Sequence, residues 1–195
     1  MKRSLLLFAL LALTPCLSHA APGFEVTQFD LMKYIQFDVE WTSYKYQNEP
    51  LPKVKVLPDE LLQIYAYGDF EYAQAEAQGK KLPIMNAVYL PENKTIYLSE
   101  RLDLNAPSTE VTLVHELVHY LQDINGYTKS LDGHLACTEN EAYEVQMVWQ
   151  KIHNVDVESI HDVYGLSVLA SIKCMGSKKS AFPNTLKDFH PEEEP

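Results

Sequence analysis

This chain lacks the long apolar run that a membrane-spanning helix requires. Such a helix needs about 18 consecutive apolar residues, and the longest apolar stretch here is the short run Leu5–Leu13. That run follows Lys2 and Arg3 and precedes Ser18-His19-Ala20, an order typical of a cleaved secretory signal. The sequence therefore predicts a signal peptide over residues 1–20 and export of the remainder to the periplasm or the extracellular space.

Cysteine is scarce as well. Of the three cysteines, Cys16 lies within the predicted signal and follows Pro15, a setting that does not favour a lipid anchor. Export would place Cys137 and Cys174 in an oxidising compartment, where an even number of cysteines usually indicates a disulfide. We therefore expect a bridge between these two residues and no membrane anchor; two separate buried thiols are the alternative.

Basic residues are in the minority. Removing Lys2 and Arg3 from the 16 basic residues leaves 14 against 27 acidic ones, a formal charge of −13. This charge disfavours nucleic acid and anionic membrane surfaces as partners. Repeats and low-complexity blocks are absent, and about 175 residues suffice for one domain with a core. The sequence predicts a single domain over residues 21–195, in which the polar residues 176–195 form a loose tail.

The first half of the chain alternates helical and strand-like segments. The aromatic stretch 27–47 is expected to form an opening helix that ends before Glu49-Pro50. LPKVKVLP alternates like a short strand bounded by prolines. Pro58-Asp59-Glu60 suits the start of a helix, and the Ala-rich residues 72–79 suit a second helical piece.

A β-hairpin and three helices are predicted for the second half. LPIMNAVYL and TIYLSE are strand-like runs on either side of a Pro/Asn turn, which is typical of a hairpin. Helical periodicity then occurs three times, over residues 108–124, 133–154 and 157–174. The sequence therefore predicts an α+β, mainly helical domain in which a small sheet or hairpin precedes a series of helices.

The helix predicted for residues 108–124 carries two histidines and a glutamate within the apolar segment VTLVHELVHYLQ. Ser108 is expected to cap this helix, because its hydroxyl can accept a hydrogen bond from a free backbone N–H. Glu110 favours the positive end of the helix, and Asn125-Gly126 is typical of a helix end. The three polar side chains thus lie on a helix whose limits are well marked.

Two histidines four residues apart can reach one metal ion. His115 and His119 project one turn above the other, and zinc commonly takes neutral histidine nitrogens among about four ligands. Glu116 lies roughly 100° around the helix from His115, where a general base for water belongs. A shuffled chain of this composition would contain about 0.02 such motifs, so chance explains the pattern poorly.

The segment VHELVHYLQ resembles the active-site helix of the zinc metallopeptidases that share the His-Glu-x-x-His motif. ENEAY resembles the third-ligand helix of the gluzincins, written Glu-x-x-(Ala/Ser)-Asp, at an interval similar to that in thermolysin. Residues 85–153 also resemble uncharacterised families of small exported bacterial metallopeptidases. The resemblance implies a zincin-like domain with one Zn²⁺ held by His115, His119 and Glu139, and with Glu116 as the catalytic base.

Two features of the third-ligand helix leave alternatives open. Tyr143 stands where the gluzincin pattern has Asp, a residue that supports a ligand histidine. That support is therefore expected from Asn140, Gln146 or the Tyr143 hydroxyl. Glu141 competes with Glu139 as third ligand, because the two flank the inward face of the helix and periodicity does not choose between them.

Two arguments favour Glu139 as the third ligand. Thr138-x-x-Glu141 fits a capping box, which would occupy Glu141. The gluzincin resemblance also selects Glu139, and Glu144 points to the polar side of the helix. The predicted bridge between Cys137 and Cys174 would tie the start of this helix to the last one.

A peptidase also needs groups that stabilise the oxyanion and position the substrate. The oxyanion candidates are Tyr143, His153, His161 and Tyr164. Zinc peptidases of this class bind the substrate main chain along an edge strand, and TIYLSE is the candidate here. A strand paired on both sides is the alternative.

These expectations together describe an exported zinc-dependent metallopeptidase with a peptide or protein substrate. Water activated by zinc would lose a proton to Glu116 and attack the peptide carbonyl. The motif does not specify the bond, so a zinc hydrolase of a non-peptide bond is one alternative, and a non-enzymatic zinc-containing binding module is another. Glu116 favours the enzyme, because a purely structural zinc site has no use for a base.

Overall fold

The computed structural model describes residues 23–127 and 135–155, and within them the protein is α+β, with helices making up about half of these residues. Among these residues, no helix combines the length and the apolar character needed to cross a membrane. Several predictions lie outside the described residues and stay predictions: the signal peptide over 1–20, the helix over 157–174, the tail over 176–195, and the roles of Cys174, His161 and Tyr164.

Four short strands form a mixed sheet in the described residues. In chain order they are β1 Phe24–Glu25, β2 Lys53–Leu57, β3 Ala87–Leu90 and β4 Thr95–Ser99. The order across the sheet is β1-β2-β4-β3; β2 and β4 are parallel, and the outer strands are antiparallel to their neighbours. The strand predicted from LPKVKVLP and the predicted hairpin are both confirmed.

Five helices are described. They are α1 Leu31–Trp41, α2 Asp59–Tyr67, α3 Asp69–Ala77, α4 Pro107–Ile124 and α5 Leu135–Ile152. Gly68, at φ +84°, separates α2 from α3, a conformation that glycine adopts without the penalty a side chain would bring. The helices predicted after Pro58 and within 133–154 are therefore present, with shifted limits.

The opening helix is shorter than the stretch 27–47. The Asp30 side chain accepts a hydrogen bond from the backbone N–H of Lys33 and so caps α1. Thr42 follows the helix in an extended conformation. The aromatic residues beyond it, Tyr44 and Tyr46, lie in a loop, although they match the composition of the helix.

Helix α4 begins differently from the prediction. Its N-cap is Ala106, without a side-chain hydrogen bond, and Pro107 is its first residue. Proline suits this position because its missing N–H would have no partner inside the helix. The prediction that Ser108 caps the helix is therefore wrong, while the predicted positions of Glu110 and Asn125 are confirmed.

The core lies where α4 packs against α5, α1 and the sheet. Leu113, Val114, Leu117, Val118 and Leu121 of α4 are all fully buried. Apolar residues cover more than one face of this helix, so packing encloses it on several sides. Polar side chains on α4 are consequently held inside the protein, where their geometry is fixed by their neighbours.

The strand predicted to be the sheet edge is an interior strand. TIYLSE contains β4, which pairs with β2 on one side and β3 on the other. Its main-chain donors and acceptors are therefore used within the sheet. The prediction that it binds substrate as an edge strand is wrong; β3 is the edge strand that contacts α4.

Candidate metal centre

Three predicted ligands meet at one point between α4 and α5. The Nε2 atoms of His115 and His119 are 3.2 Å apart. The Glu139 carboxylate places Oε2 at 3.3 Å from Nε2 of His115 and Oε1 at 3.3 Å from Nε2 of His119. One ligand atom from each of the three residues falls within 4.8 Å of the other two. The fold thus brings two residues of α4 together with one residue of α5.

The donor set and its spacing fit a zinc ion. Two imidazole nitrogens that each lie about 2.05 Å from a tetrahedral zinc are about 3.3 Å from one another. The distance between His115 Nε2 and His119 Nε2 is close to this value. Two nitrogens with one carboxylate oxygen are also ligands that zinc accepts, and three protein ligands leave a position for water. The arrangement is therefore chemically suited to a catalytic zinc.

Neighbouring groups shift the pKa of His119 and the pKa of Glu139. Burial opposes a charge on His119, but the adjacent Glu139 and Glu116 outweigh it and raise the pKa of His119 to about 9. Burial alone would raise the pKa of Glu139, yet the two histidines hold it well below its usual range. In the metal-free protein, His119 is therefore protonated at neutral pH and its positive charge lies beside the Glu139 carboxylate.

Glu116 lies beside the metal centre, as its position on the helix predicted. Its side chain is 6% exposed, and burial raises its pKa above the usual range, although His115 and His119 counteract this. The backbone N–H of Tyr89 in β3 donates a hydrogen bond to the carboxylate. Strand β3 therefore holds Glu116 next to the two histidines, and Glu116 itself is not one of the three predicted ligands.

Each of the two histidines has a glutamine on its other ring nitrogen. Gln146 Oε1 lies 3.0 Å from Nδ1 of His115, and Gln122 Oε1 lies 2.8 Å from Nδ1 of His119. Gln146 was one of three predicted supports. The other two have different roles: Asn140 donates to Glu144, and the Tyr143 ring packs at 4.6 Å from that of His115.

Sequence reasoning missed Gln122. It lies three residues after His119 on the same helix, a spacing at which side chains can meet, but that spacing alone does not distinguish it from other residues of the helix. Gln122 is fully buried, and its Nε2 donates to the Thr138 carbonyl and to Oε2 of Glu141, at 3.0 Å each. Gln122 therefore connects His119 of α4 to Thr138 and Glu141 of α5 through buried hydrogen bonds.

Glu141 is turned away from the metal centre. It is 9% exposed and accepts hydrogen bonds from Gln122 and, at 2.5 Å, from the Tyr44 hydroxyl. The preference for Glu139 over Glu141 agrees with this geometry. The reason given from the sequence is wrong, because Thr138 lies inside α5 and cannot cap it.

Of the predicted oxyanion groups in the described residues, one lies close to the candidate metal centre and one lies far from it. Tyr143 lies beside His115, and burial together with the charges of Glu139 and Glu116 raises its pKa to about 12. His153 stacks on Trp149 with ring centroids 3.8 Å apart, and 14 residues of helix after Glu139 correspond to about 21 Å. Tyr143 is therefore at the site, and His153 is remote from it.

The predicted disulfide stays a prediction. Cys137 is buried at the start of α5, two residues before Glu139, and Cys174 lies outside the described residues. A bridge at Cys137 would anchor the end of the helix that carries the third ligand.

Comparison with known proteins gives no relative. No protein-family model matches this chain, and neither a curated protein nor a solved structure is significantly similar to it. The geometry of the site is therefore the basis on which a function can be proposed.

Proposed function

We propose that this chain is an exported zinc-dependent metallopeptidase with a zincin-like arrangement of its active-site helix and third-ligand helix. The convergence of His115 Nε2, His119 Nε2 and the Glu139 carboxylate at distances suited to one zinc ion carries this proposal. Glu116 beside them separates a hydrolytic centre from a structural one, which needs no base.

The buried carboxylate of Glu116 provides the proton transfers of the reaction. A bound Zn²⁺ would act as a Lewis acid that makes water more acidic and a carbonyl carbon more electrophilic. Burial raises the pKa of Glu116, which makes it a stronger base than an exposed glutamate. It takes a proton from the attacking water and delivers it to the departing amine nitrogen.

Strand β3 offers a place for the substrate main chain. The backbone N–H of Ser99 donates to the Asn86 carbonyl, so the ladder directs the main-chain groups of Val88 and Leu90 toward β4. The main-chain groups of Ala87 and Tyr89 then point away from the sheet, on the side where Tyr89 reaches Glu116. Because Glu116 already accepts from the Tyr89 N–H, an extended peptide would pair with the other outward-facing groups of this edge and so pass the base.

Tyr143 is the best-placed donor to the oxyanion. Its ring lies against His115, and its pKa of about 12 keeps the hydroxyl protonated at neutral pH. A hydroxyl can donate a hydrogen bond to the oxygen on which charge develops.

Metal analysis combined with substrate profiling tests the proposal. The purified protein is expected to contain one zinc per chain and to cleave members of a peptide library, and His119→Ala is expected to lose both properties. Glu116→Gln is the matched control, which should keep the zinc and lose the cleavage. Equal zinc content in the wild type and His119→Ala would contradict the ligand assignment; zinc-dependent cleavage of esters or glycosides alone would contradict the substrate class.

A further inference from the structure

The orientation of the Gln122 amide is determined by a backbone carbonyl of α5, which can only accept hydrogen bonds. One of its neighbours is the Thr138 carbonyl oxygen, 3.0 Å from Nε2. A carbonyl has no proton to donate, so the NH₂ end of Gln122 must face it. The Glu141 carboxylate, also 3.0 Å from Nε2, agrees with the same orientation.

This orientation in turn determines the tautomer of His119. With Nε2 of Gln122 turned to α5, its Oε1 is the atom 2.8 Å from Nδ1 of His119. An amide oxygen can only accept, so Nδ1 of His119 must carry the proton. The lone pair of the neutral ring is then on Nε2, the atom that faces His115 and Glu139.

Tyr44 completes the arrangement from a loop far away in the sequence. Its hydroxyl donates to Oε2 of Glu141, the same oxygen that Gln122 contacts. Tyr44, Gln122 and Glu141 are all buried, so water does not compete for these hydrogen bonds and each is stronger than it would be at the surface. The carboxylate is thereby held in one position.

We infer that Gln122 is a positioning residue for the metal centre, held by Glu141 and Tyr44, which fixes the Nδ1–H tautomer of His119 and directs its Nε2 to the ion. The inference rests on the proposed function, since it concerns the ion that His119 would bind. Partners of this kind typically change metal affinity by about 10–100-fold when removed.

The test measures zinc affinity by competition with a chelator, together with the Nδ1–H signals of the two ligand histidines by NMR in the zinc-loaded protein. Gln122→Met keeps the size of the side chain and removes its hydrogen bonds. We expect it to lower zinc affinity by about 10–100-fold and to abolish the slowly exchanging Nδ1–H signal of His119, with that of His115 retained.

Three variants separate positioning from a general loss of packing. Gln150→Met changes a second buried glutamine, which lies in α5, and should leave zinc affinity and both NMR signals unchanged. Glu141→Gln keeps an acceptor for Gln122 and for Tyr44, so it should bind zinc nearly as the wild type does, whereas Glu141→Leu should behave like Gln122→Met. Circular dichroism of each variant establishes that it is folded.

The outcomes distinguish this inference from the proposed function. Zinc affinity of Gln122→Met within about twofold of wild type, with the His119 signal retained, would overturn the inference and leave the metal centre intact. A loss of affinity equally large in Gln150→Met would also overturn it. A wild-type protein that takes up no zinc would overturn both. If Gln122→Met does not fold, Tyr44→Phe is tested in its place. We expect Tyr44→Phe to lose less zinc affinity than Gln122→Met would, and an unchanged zinc affinity would overturn the inference.

Discussion

The two ends of the α4–α5 pair differ in whether their buried polar groups have hydrogen-bond partners. At the metal centre, the Gln122 amide and the Glu141 carboxylate are buried and hydrogen-bonded. Where α1 packs, both carboxylate oxygens of Asp38, Trp149 Nε1 and Gln150 Nε2 are buried, and within the described part of the chain they have no hydrogen-bond partner. The first region specifies the geometry of side chains, while the second depends on apolar contacts.

Those apolar contacts are extensive. Trp149 meets Tyr34 at 5.3 Å and Phe37 at 4.8 Å between ring centroids, both edge-to-face. Aromatic pairs of this kind stabilise a core by more than their buried area alone would. This stabilisation offsets the unfavourable free energy of the unpaired polar atoms nearby. We therefore expect substitutions at the candidate metal centre to affect zinc binding and activity, and substitutions at the α1 contact to affect stability.

The largest expected effect concerns the base at the metal centre. Glu116→Gln removes proton transfer but keeps the shape of the side chain, so peptide hydrolysis should fall by about 10²–10⁴-fold. Zinc content and the thermal unfolding midpoint should stay close to those of the wild type. Retained hydrolysis in this variant would show that another group acts as the base.

The second effect compares two carboxylates two residues apart. Glu139→Gln removes a ligand, and zinc affinity should fall by more than the roughly 100-fold attributed to loss of an outer partner. Glu141→Gln is its matched control and should change affinity little, because Glu141 faces Tyr44 and Gln122. Chelator competition on both variants measures the difference, and similar losses in the two would contradict the assignment of the third ligand.

The third effect is a dependence of zinc affinity on pH. The pKa of His119 in the metal-free protein is about 9, and zinc requires the neutral ring. Zinc affinity should therefore fall by about tenfold for each pH unit below 9, with one proton released per ion. Titration calorimetry in buffers of different ionisation enthalpy counts this proton, and binding without proton release would contradict the pKa.

The stability of the metal-free protein should follow the opposite trend. The folded-state pKa of His119 is raised above its ordinary value of 6.5, so its contribution is complete below that pH and is lost as pH rises through about 9. The unfolding midpoint of the chelator-treated protein should fall over this window. A midpoint that rises there would contradict the ion pair with Glu139.

The smallest expected effect is in the α1 region. Burial raises the pKa of Asp38 well above its ordinary value, so the folded state loses stability relative to the unfolded state as pH rises above that value. Asp38→Leu removes two buried carboxyl oxygens that have no hydrogen-bond partner in the described part of the chain and should raise the free energy of unfolding at pH 7 by about 1 kcal/mol. Zinc affinity should not change.

Denaturant unfolding at two pH values measures this gain. Asp38→Asn is the control: it removes the titration and keeps a polar group, so its advantage over the wild type should grow from pH 4 to pH 8. An advantage that shrinks over this range would contradict the raised pKa of Asp38.

Local patterns were sufficient to predict much of this molecule. The hairpin of β3 and β4 followed from alternation around a turn, and the meeting of His115 and His119 followed from helical spacing alone. Both depend on neighbours in the sequence. The start of α1 was placed too early because Asp30 caps the helix only from Leu31 onward. The cap of α4 was wrong because Pro107 begins that helix one residue before Ser108.

Long-range contacts decided the features that the sequence did not predict. Strand β4 is interior because β2, about 40 residues earlier, pairs with it in parallel; periodicity does not contain that information. The role of Glu141 depends on Tyr44, 97 residues away. Gln122 was overlooked because its importance follows from the acceptors that α5 presents to it.

The decisive measurement for the zinc ligands is a crystal structure with anomalous diffraction at the zinc absorption edge. We expect one anomalous peak between α4 and α5, bonded to Nε2 of His115, Nε2 of His119 and a carboxylate oxygen of Glu139, with Glu116 beside it as a non-ligand. A peak bonded to Glu141 or Glu116, or no peak in zinc-supplemented crystals, would contradict it.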